Sequence, residues 1–424
     1  MTRLGSTSED YRVRGWCPTV RRPMATGDGL IVRLNTQRRL LAPDDLVALA
    51  AISDDHGNGL IDLTRRANLQ IRGAAENALP AVWHELEAAG LLPEDEASTH
   101  NILLAPLAGA GDGEVTPIRP LAVALASALS MRLGAHGLPD KFSFAVDGGG
   151  LLSLGDIAAD IRLRAYRDEH EQVVVAIGTD TPLGTHWLGA TTPDDAAATA
   201  AAIAAGFMEH RSASQRHMRD LSVDTLDQIA SRCTAWHIKA LPTLSDRACV
   251  HPLGIVRNQA GRVVAAGVAA AFGRMTSRHL RHLAQAAADT GIAALSVSPW
   301  RSLYALTHDE KQAAAFSASA AALGLLIDEN DSLLSIDACP GAPSCASSSV
   351  DTHQAARTLA PQLARLGIHS CHVSGCNKGC ARSKVADVTL VGTGDTFALV
   401  KHGTARDKPV RTLTLRDLAS MQHL

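Results

Sequence analysis

The chain has 424 residues, of which 46% are hydrophobic and 20% charged, and its formal net charge is −3. That length supports two to four cores of ordinary globular composition. With no basic excess a nucleic-acid partner is not expected. The alanine-rich apolar runs at 121–130 and 197–208 are too short for a membrane span and read as buried helices.

The opening Met1-Thr2-Arg3-Leu4-Gly5-Ser6 has no apolar stretch of the secretory kind, so a cytoplasmic location with reduced thiols is expected. Leu30–Leu34 reads as a strand. Pro43-Asp44-Asp45 then opens a helix with Leu46, Leu49, Ala50 and Ile52 on one face, and His56-Gly57-Asn58-Gly59 ends it. Leu60–Thr64 is a second strand, followed by Arg65 and Arg66.

The same layout returns two hundred residues later. Arg262–Val268 is a strand, Thr276-Ser277 starts a helix carrying Leu280, Leu283 and Ala287, and Asp289-Thr290-Gly291 breaks it. Ala294–Ser298 is the next strand, followed by Pro299-Trp300-Arg301. Strand, helix, strand and arginine thus occur twice, with Arg66 and Arg301 at equivalent ends, which points to duplication and pseudo-two-fold packing. Leu241-Pro242-Thr243 is the expected linker between the halves.

Three segments place cations where strands or turns finish: residues 64–73 with Arg66 and Arg72, residues 137–150 with Lys141, and the group Lys378, Arg382 and Lys384. Guanidinium groups suit carboxylates and phosphates, although any one of these residues could equally be a solvated strand end. The glycine runs at 109–113 and 148–150 lack the strand-then-helix setting of a dinucleotide site.

Four cysteines carry the most chemistry. Cys339 and Cys345 are separated by five residues, Cys376 and Cys380 by three, with an insert of thirty between the pairs. Four thiolates in two short clips suit a 4Fe–4S cluster. Gly341, Gly375 and Gly379 leave room for backbone N–H groups to approach its sulfides. A structural zinc site usually spaces its ligands by two to four residues, so the five-residue gap fits it less well. Cys17, Cys233, Cys249 and Cys371 read as small hydrophobes, with Cys371 a fifth candidate because it lies close to Cys376.

These residues resemble the nitrite/sulfite reductase superfamily. The resemblance rests on the cysteine pattern, on Leu63-Thr64-x-Arg66-x-x-x-Gln70, on His100–Gly109 and on Leu138-Pro139-x-Lys141-Phe142. It implies an α+β fold of duplicated ferredoxin-like half-domains (10–80 and 241–318), each with an α/β reductase-type domain (81–240 and 319–424), and a tetrapyrrole pocket. In siroheme reductases an arginine usually stands at the place of His100 and a lysine at that of Ser143. Losing both removes cations that would stabilise a small oxyanion under reduction.

Arg14-Gly15-Trp16-Cys17-Pro18, Pro23-Met24-x-x-Gly27-Asp28-Gly29-Leu30, Lys141–Gly149 and Ala386-Asp387-x-Thr389-Leu390-Val391-Gly392 instead resemble the precorrin-3B synthase family of aerobic cobalamin biosynthesis. That likeness implies an iron–sulfur monooxygenase acting on a tetrapyrrole held by Arg66, Arg72, Lys141 and Arg301. It also implies a mononuclear non-haem iron, for which His100, His237, His251, His369 and His372 are open candidates as ligands. Electrons would come from an external donor, a ferredoxin or an NAD(P)H-dependent reductase. A siroheme-dependent nitrite or sulfite reductase is the alternative.

Overall fold

The computed structural model describes residues 16–92, 100–134, 137–237, 251–421 and 423. Arg14, Gly15, the 241–243 linker and Cys249 lie outside them. The chain divides into a larger unit, residues 18–23 and 30–329, and a smaller one holding residues 24–29 and 330 onward. Strand β1 (Met24–Thr26) falls in the smaller unit.

The larger unit contains the repeat. In its first half, β2 (Gly29–Asn35) leads to α1 (Pro43–His56), then β3 (Leu60–Leu63), β4 (Asn68–Ala74) and α2 (Leu79–Ala88). Pro43 presets the first helical turn, and the Asp45 carboxylate accepts from the Ala42 N–H at 2.9 Å. Gly57 closes the helix by donating to the Ser53 carbonyl at 3.1 Å. β4 lies between β2 and β3, with antiparallel pairing on both sides.

The second half repeats this order after an extra strand. β10 (Gly254–Arg257) precedes β11 (Val263–Ala269), β12 (Arg274–Thr276), α6 (Ser277–Thr290), β13 (Leu295–Val297), β14 (Ser302–Leu306) and α7 (Glu310–Ala322). β14 lies between β11 and β13, the place that β4 takes in the first half. Thr276 caps α6 by accepting from His279 N–H at 3.2 Å, and Gly291 ends it in a left-handed conformation.

The halves exchange backbone reciprocally. β12, just ahead of α6, pairs with β3 of the first half. Leu41, just ahead of α1, exchanges two 2.8 Å hydrogen bonds with Leu295 of β13. Since β3 and β13 hold equivalent places, each half hands the segment before its helix to the other's sheet, and α1 packs on α6. This is the contact pattern of an isologous, pseudo-two-fold pair. A continuous apolar core runs through both halves, with Val32, Leu46, Ile71, Leu280 and Leu295 among its buried members.

Between the halves in sequence comes a mixed sheet. β5 (Asn101–Leu104), β6 (Ser143–Asp147) and β7 (Ile161–Arg167) are parallel, and β8 (Val173–Thr181) and β9 (Gly184–Thr191) add antiparallel strands. Helices α3 (Ile118–Leu133) and α4 (Pro193–His210) absorb the two alanine-rich runs, and α5 (Val223–Ser231) packs on α4. A side chain at Gly206 would meet Ile229 at 2.5 Å, so this helix contact requires glycine.

The smaller unit repeats that sheet topology. β15 (Ile336–Ala338), β16 (Cys371–Ser374) and β17 (Ala386–Thr393) are parallel, with antiparallel β18 (Thr396–Gly403) and β19 (Arg411–Leu413) beyond. α8 (Thr352–Leu359) packs on β15 and β16 and against α9 (Leu415–Ala419). Among the described residues no helix is long and apolar enough to cross a membrane.

Candidate functional site

The cysteine clips leave the smaller unit's sheet at one edge. β15 and β16 are parallel neighbours, with Ala338 opposite Val373. Each strand runs directly into a clip, Cys339 following β15 and Cys376 coming two residues after β16. Two loops at the carboxyl ends of adjacent parallel strands necessarily face one crevice. Cys339 N–H still donates to the Val373 carbonyl at 3.1 Å, which ties the first clip to the second strand.

Small residues bring the clips together. Gly375 N–H donates to Cys339 Sγ at 3.1 Å, a backbone-to-sulfur bond that joins the two clips. A Cβ at Gly375 would lie 2.1 Å from Ser348 Oγ. Gly341 has φ +64, and a Cβ there would lie 2.4 Å from Thr352 Oγ1, which itself donates to the Cys339 carbonyl at 2.6 Å. Gly27 presses on the far end of the first clip, since its Cβ would sit 2.6 Å from the Ala346 nitrogen and 3.2 Å from Cys345 Cα. The Met24–Gly29 stretch therefore serves the cysteine loop, a link that spacing alone did not reveal.

The four thiols influence one another electrostatically. Burial pushes Cys339 upward, the Gly375 and Gly341 N–H groups oppose that shift, and Cys345 and Cys376 add to it. Burial likewise raises Cys380, helped by Cys376, Cys339 and Cys345 and opposed by Lys378. Four sulfurs that repel one another as thiolates form a donor set a cationic iron–sulfur core would relieve, and the Gly375 N–H aimed at sulfur fits such a core. Among the described residues no three His, Cys, Asp or Glu side chains converge closely enough to hold a single ion. The mononuclear iron therefore has no ligand set among them. His372 is buried in β16, His100 is buried, and the His369 N–H donates to Asp387.

Cys371 is buried in β16, and its thiol is pushed up to about 12 mainly by burial. It packs as core, apart from the clips. Cys17 and Cys233 are half-buried. Of the nearby cations, Lys378 donates to Ser347 Oγ at 2.8 Å, Arg382 pairs with Asp337 at 3.1 Å, and Lys384 is exposed.

The other basic residues belong to the larger unit. Arg66 occupies the β3–β4 turn, where Thr64 Oγ1 accepts from the Arg66 and Asn68 N–H groups and Ala67 takes φ +49. Its guanidinium donates to Ser143 Oγ at 2.9 Å and to the Ala158 carbonyl at 3.1 Å. Arg301 sits in the equivalent β13–β14 turn at φ +61, its stem laid against Gly273, where a Cβ would meet Arg301 Cδ at 2.9 Å. Lys141 is exposed just ahead of β6.

Arg72 departs from the expected clamp. Its side chain is 2% exposed and donates to Asp62 Oδ2 at 3.1 Å. Arg274, opposite Asp62 in the ladder, donates to both oxygens of the same carboxylate. Arg72 is thus engaged in an ion pair within the sheet, which β-strand alternation could not show in advance.

One loop touches both repeated turns. Between β6 and β7, Ala158 accepts from Arg66, and Asp156 accepts from the Trp300 indole N–H at 3.0 Å. The His251 ring stacks on Trp300 at 4.0 Å, with Nε2 3.3 Å from Asp156 Oδ2. That approach is a close contact without an aligned hydrogen bond. Burial acts to raise Asp156, but the His251 and Trp300 contacts outweigh it and hold the carboxyl below its usual range. The turns that carry Arg66 and Arg301 both meet residues 156–158 in this way, the second through Trp300.

Over 406 residues the chain is 31% identical to precorrin-3B synthase from Sinorhizobium sp., an alignment covering 93% of this chain and 84% of that protein. The chain belongs to the precorrin-3B synthase family. Residues 22–89 of this precorrin-3B synthase homologue match the nitrite/sulfite reductase ferredoxin-like half domain, the stretch that holds β1 to α2. A ferredoxin–nitrite reductase from Synechococcus elongatus is 26% identical over 410 residues, 90% of this chain and 80% of that protein. The solved structure of the Mycobacterium tuberculosis NirA protein shares the fold, with a TM-score of 0.71 at 20% identity over 92% of this chain and 79% of that one.

Proposed function

We propose that this chain is a cytoplasmic precorrin-3B synthase, an iron–sulfur monooxygenase of aerobic cobalamin biosynthesis. It would hydroxylate precorrin-3A at a meso carbon and close a lactone from the ring A acetate. The hydroxylation balances as C–H plus dioxygen, two electrons and two protons giving C–OH and water. The observation that supports this reading is that the Cys339–Cys345 and Cys376–Cys380 loops leave the carboxyl ends of adjacent parallel strands, with Gly375 N–H on the Cys339 sulfur.

Those four cysteines would hold a 4Fe–4S cluster, which supplies one-electron transfers when bound. The electrons would come from a ferredoxin or an NAD(P)H-dependent reductase. The mononuclear iron implied by the resemblance has no ligand set among the described residues, and no step is assigned to it. Arg66, Arg301 and Lys141 would grip the carboxylates of the macrocycle, the two arginines through guanidinium forks and the lysine as a point charge. Arg72 would act indirectly, by bracing β4 through Asp62.

Ser143 is buried and bonded to Arg66, and His100 is buried. Neither adds a permanent cation for a small oxyanion, which favours the tetrapyrrole reading over nitrite or sulfite reduction. The test is aerobic incubation of the iron-reconstituted chain with precorrin-3A and a reductant, following product mass. A tetrapyrrole product carrying one oxygen atom from labelled dioxygen is expected. Unchanged precorrin-3A, together with siroheme in the acid–acetone extract and reduction of nitrite or sulfite, would overturn the assignment.

A further inference from the structure

Arg66 stands at the end of a polar chain with a fixed direction. Asp160, at the entry to β7, is 4% exposed. Its Oδ2 accepts from Ser143 N–H at 2.9 Å, with Ser143 Oγ 3.5 Å away, long for a hydrogen bond. Its Oδ1 accepts from Met218 N–H at 3.0 Å and faces His217 Nδ1 at 3.1 Å. The carboxylate is thus anchored from two other segments of the unit. Ser143 Oγ in turn accepts from Arg66 at 2.9 Å.

A guanidinium can only donate and a carboxylate can only accept, so the serine hydroxyl has one consistent orientation, proton toward Asp160 and lone pair toward Arg66. The β3–β4 turn does not depend on this contact. It is closed by Thr64 Oγ1 and by the Ala67 N–H donating to the Thr64 carbonyl at 3.0 Å. The Ser143 contact, with the bond to the Ala158 carbonyl, orients the side chain of Arg66 instead.

We propose that Ser143 and Asp160 are positioning residues that preset Arg66 for a tetrapyrrole carboxylate, and that a cation at position 143 is incompatible with this use of the site. The proposal rests on Arg66 being a tetrapyrrole clamp. A lysine at 143 would reverse the polarity of the contact and set an ammonium against the guanidinium. With serine, the rotamer freedom of Arg66 is spent before the ligand arrives, which favours binding.

The experiment is a double-mutant cycle on the full chain, with uroporphyrin as the octacarboxylate probe and binding read by equilibrium dialysis. Arg66→Ala should weaken binding by about tenfold or more, and Ser143→Ala by about threefold to tenfold, the range of one ordinary net hydrogen bond. In the Arg66→Ala background Ser143→Ala should change nothing further. Ser143→Thr should bind like the parent and Ser143→Lys more weakly than Ser143→Ala. Iron content and melting temperature of each variant separate positioning from loss of fold.

Unchanged binding by Arg66→Ala would remove the clamp reading, and this inference with it. An effect of Arg66→Ala combined with wild-type binding by Ser143→Ala would overturn the inference alone. So would a Ser143→Ala effect of equal size with and without Arg66. Asp160→Asn should resemble Ser143→Ala if it folds, and the Ser143 variants decide the matter if it does not.

Discussion

Replacing Gly341 by alanine tests whether the first cysteine clip is set by backbone geometry. Gly341 has φ +64, and its added Cβ would stand 2.4 Å from Thr352 Oγ1 and 2.7 Å from the Thr352 nitrogen. A non-glycine residue in this conformation costs about 1–2 kcal/mol. The clash adds a second cost, because Thr352 cannot easily retreat. It is buried in the first turn of α8, and its hydroxyl holds the Cys339 carbonyl at 2.6 Å. Overpacking of this kind costs about 1–3 kcal/mol. Gly394 provides the control, since it has φ +62 and an added Cβ would meet nothing within 4 Å. Gly394→Ala should therefore lose only the conformational part, and Gly341→Ala should be worse by about 1–3 kcal/mol. Urea unfolding of the two variants measures the difference, while iron and acid-labile sulfide per chain measure the clip. Gly341→Ala should hold less iron than Gly394→Ala at matched folded fraction. Equal midpoints and equal iron contents would refute the idea that Gly341 holds Cys339 in place through Thr352.

Two other outcomes follow from buried groups. Asp62→Ala removes the carboxylate shared by Arg72 and Arg274, and breaking such a pair costs about 3–5 kcal/mol. A loss below about 1 kcal/mol in urea unfolding would show the network to be dispensable. Cys371, whose thiol burial pushes up to about 12, should resist alkylation in the native chain at pH 8.5 and react fully in denaturant. Because its folded value lies above its unfolded one, it favours the folded state below about pH 9, and that contribution should fade as pH rises toward 12. Native alkylation at the rate of a free thiol would place Cys371 outside the core.

The repeat was legible because it is local. Apolar periodicity, the Pro43 and Thr276 helix starts and the Gly291 stop all act within a turn of where they are read. The cysteine spacing was legible for the same reason. What stayed hidden was pairing across long separations. Nothing near Arg72 in sequence announces Arg274, and nothing near Cys345 announces Gly27, because both contacts depend on the chain returning to close on itself. Arg66 and Arg72 looked alike as basic residues around β3 and β4. Strand register separates them, since Asp62 of the neighbouring strand takes Arg72 while Arg66 sits in the turn beyond the ladder. The domain edges drawn at 80 and 318 cross α2 and α7, whose mixed alanine and polar composition gives no sharp end.

The duplication has diverged most at the equivalent turns. In the first half the turn keeps Ala67 at positive φ and sends Arg66 outward to the 156–158 loop. In the second half Arg301 itself takes the positive φ, which Gly273 accommodates by leaving space for its stem, and Trp300 makes the contact to the loop. Both solutions meet the same loop from equivalent positions, one through a cation and the other through an indole. Exchanging Trp300 for alanine should loosen Asp156 and His251. Because Arg66 bonds Ala158 in the same loop, the uroporphyrin affinities of the Trp300→Ala, Arg66→Ala and double variants should depart from additivity. Strictly additive affinities would show that the loop does not link the two turns.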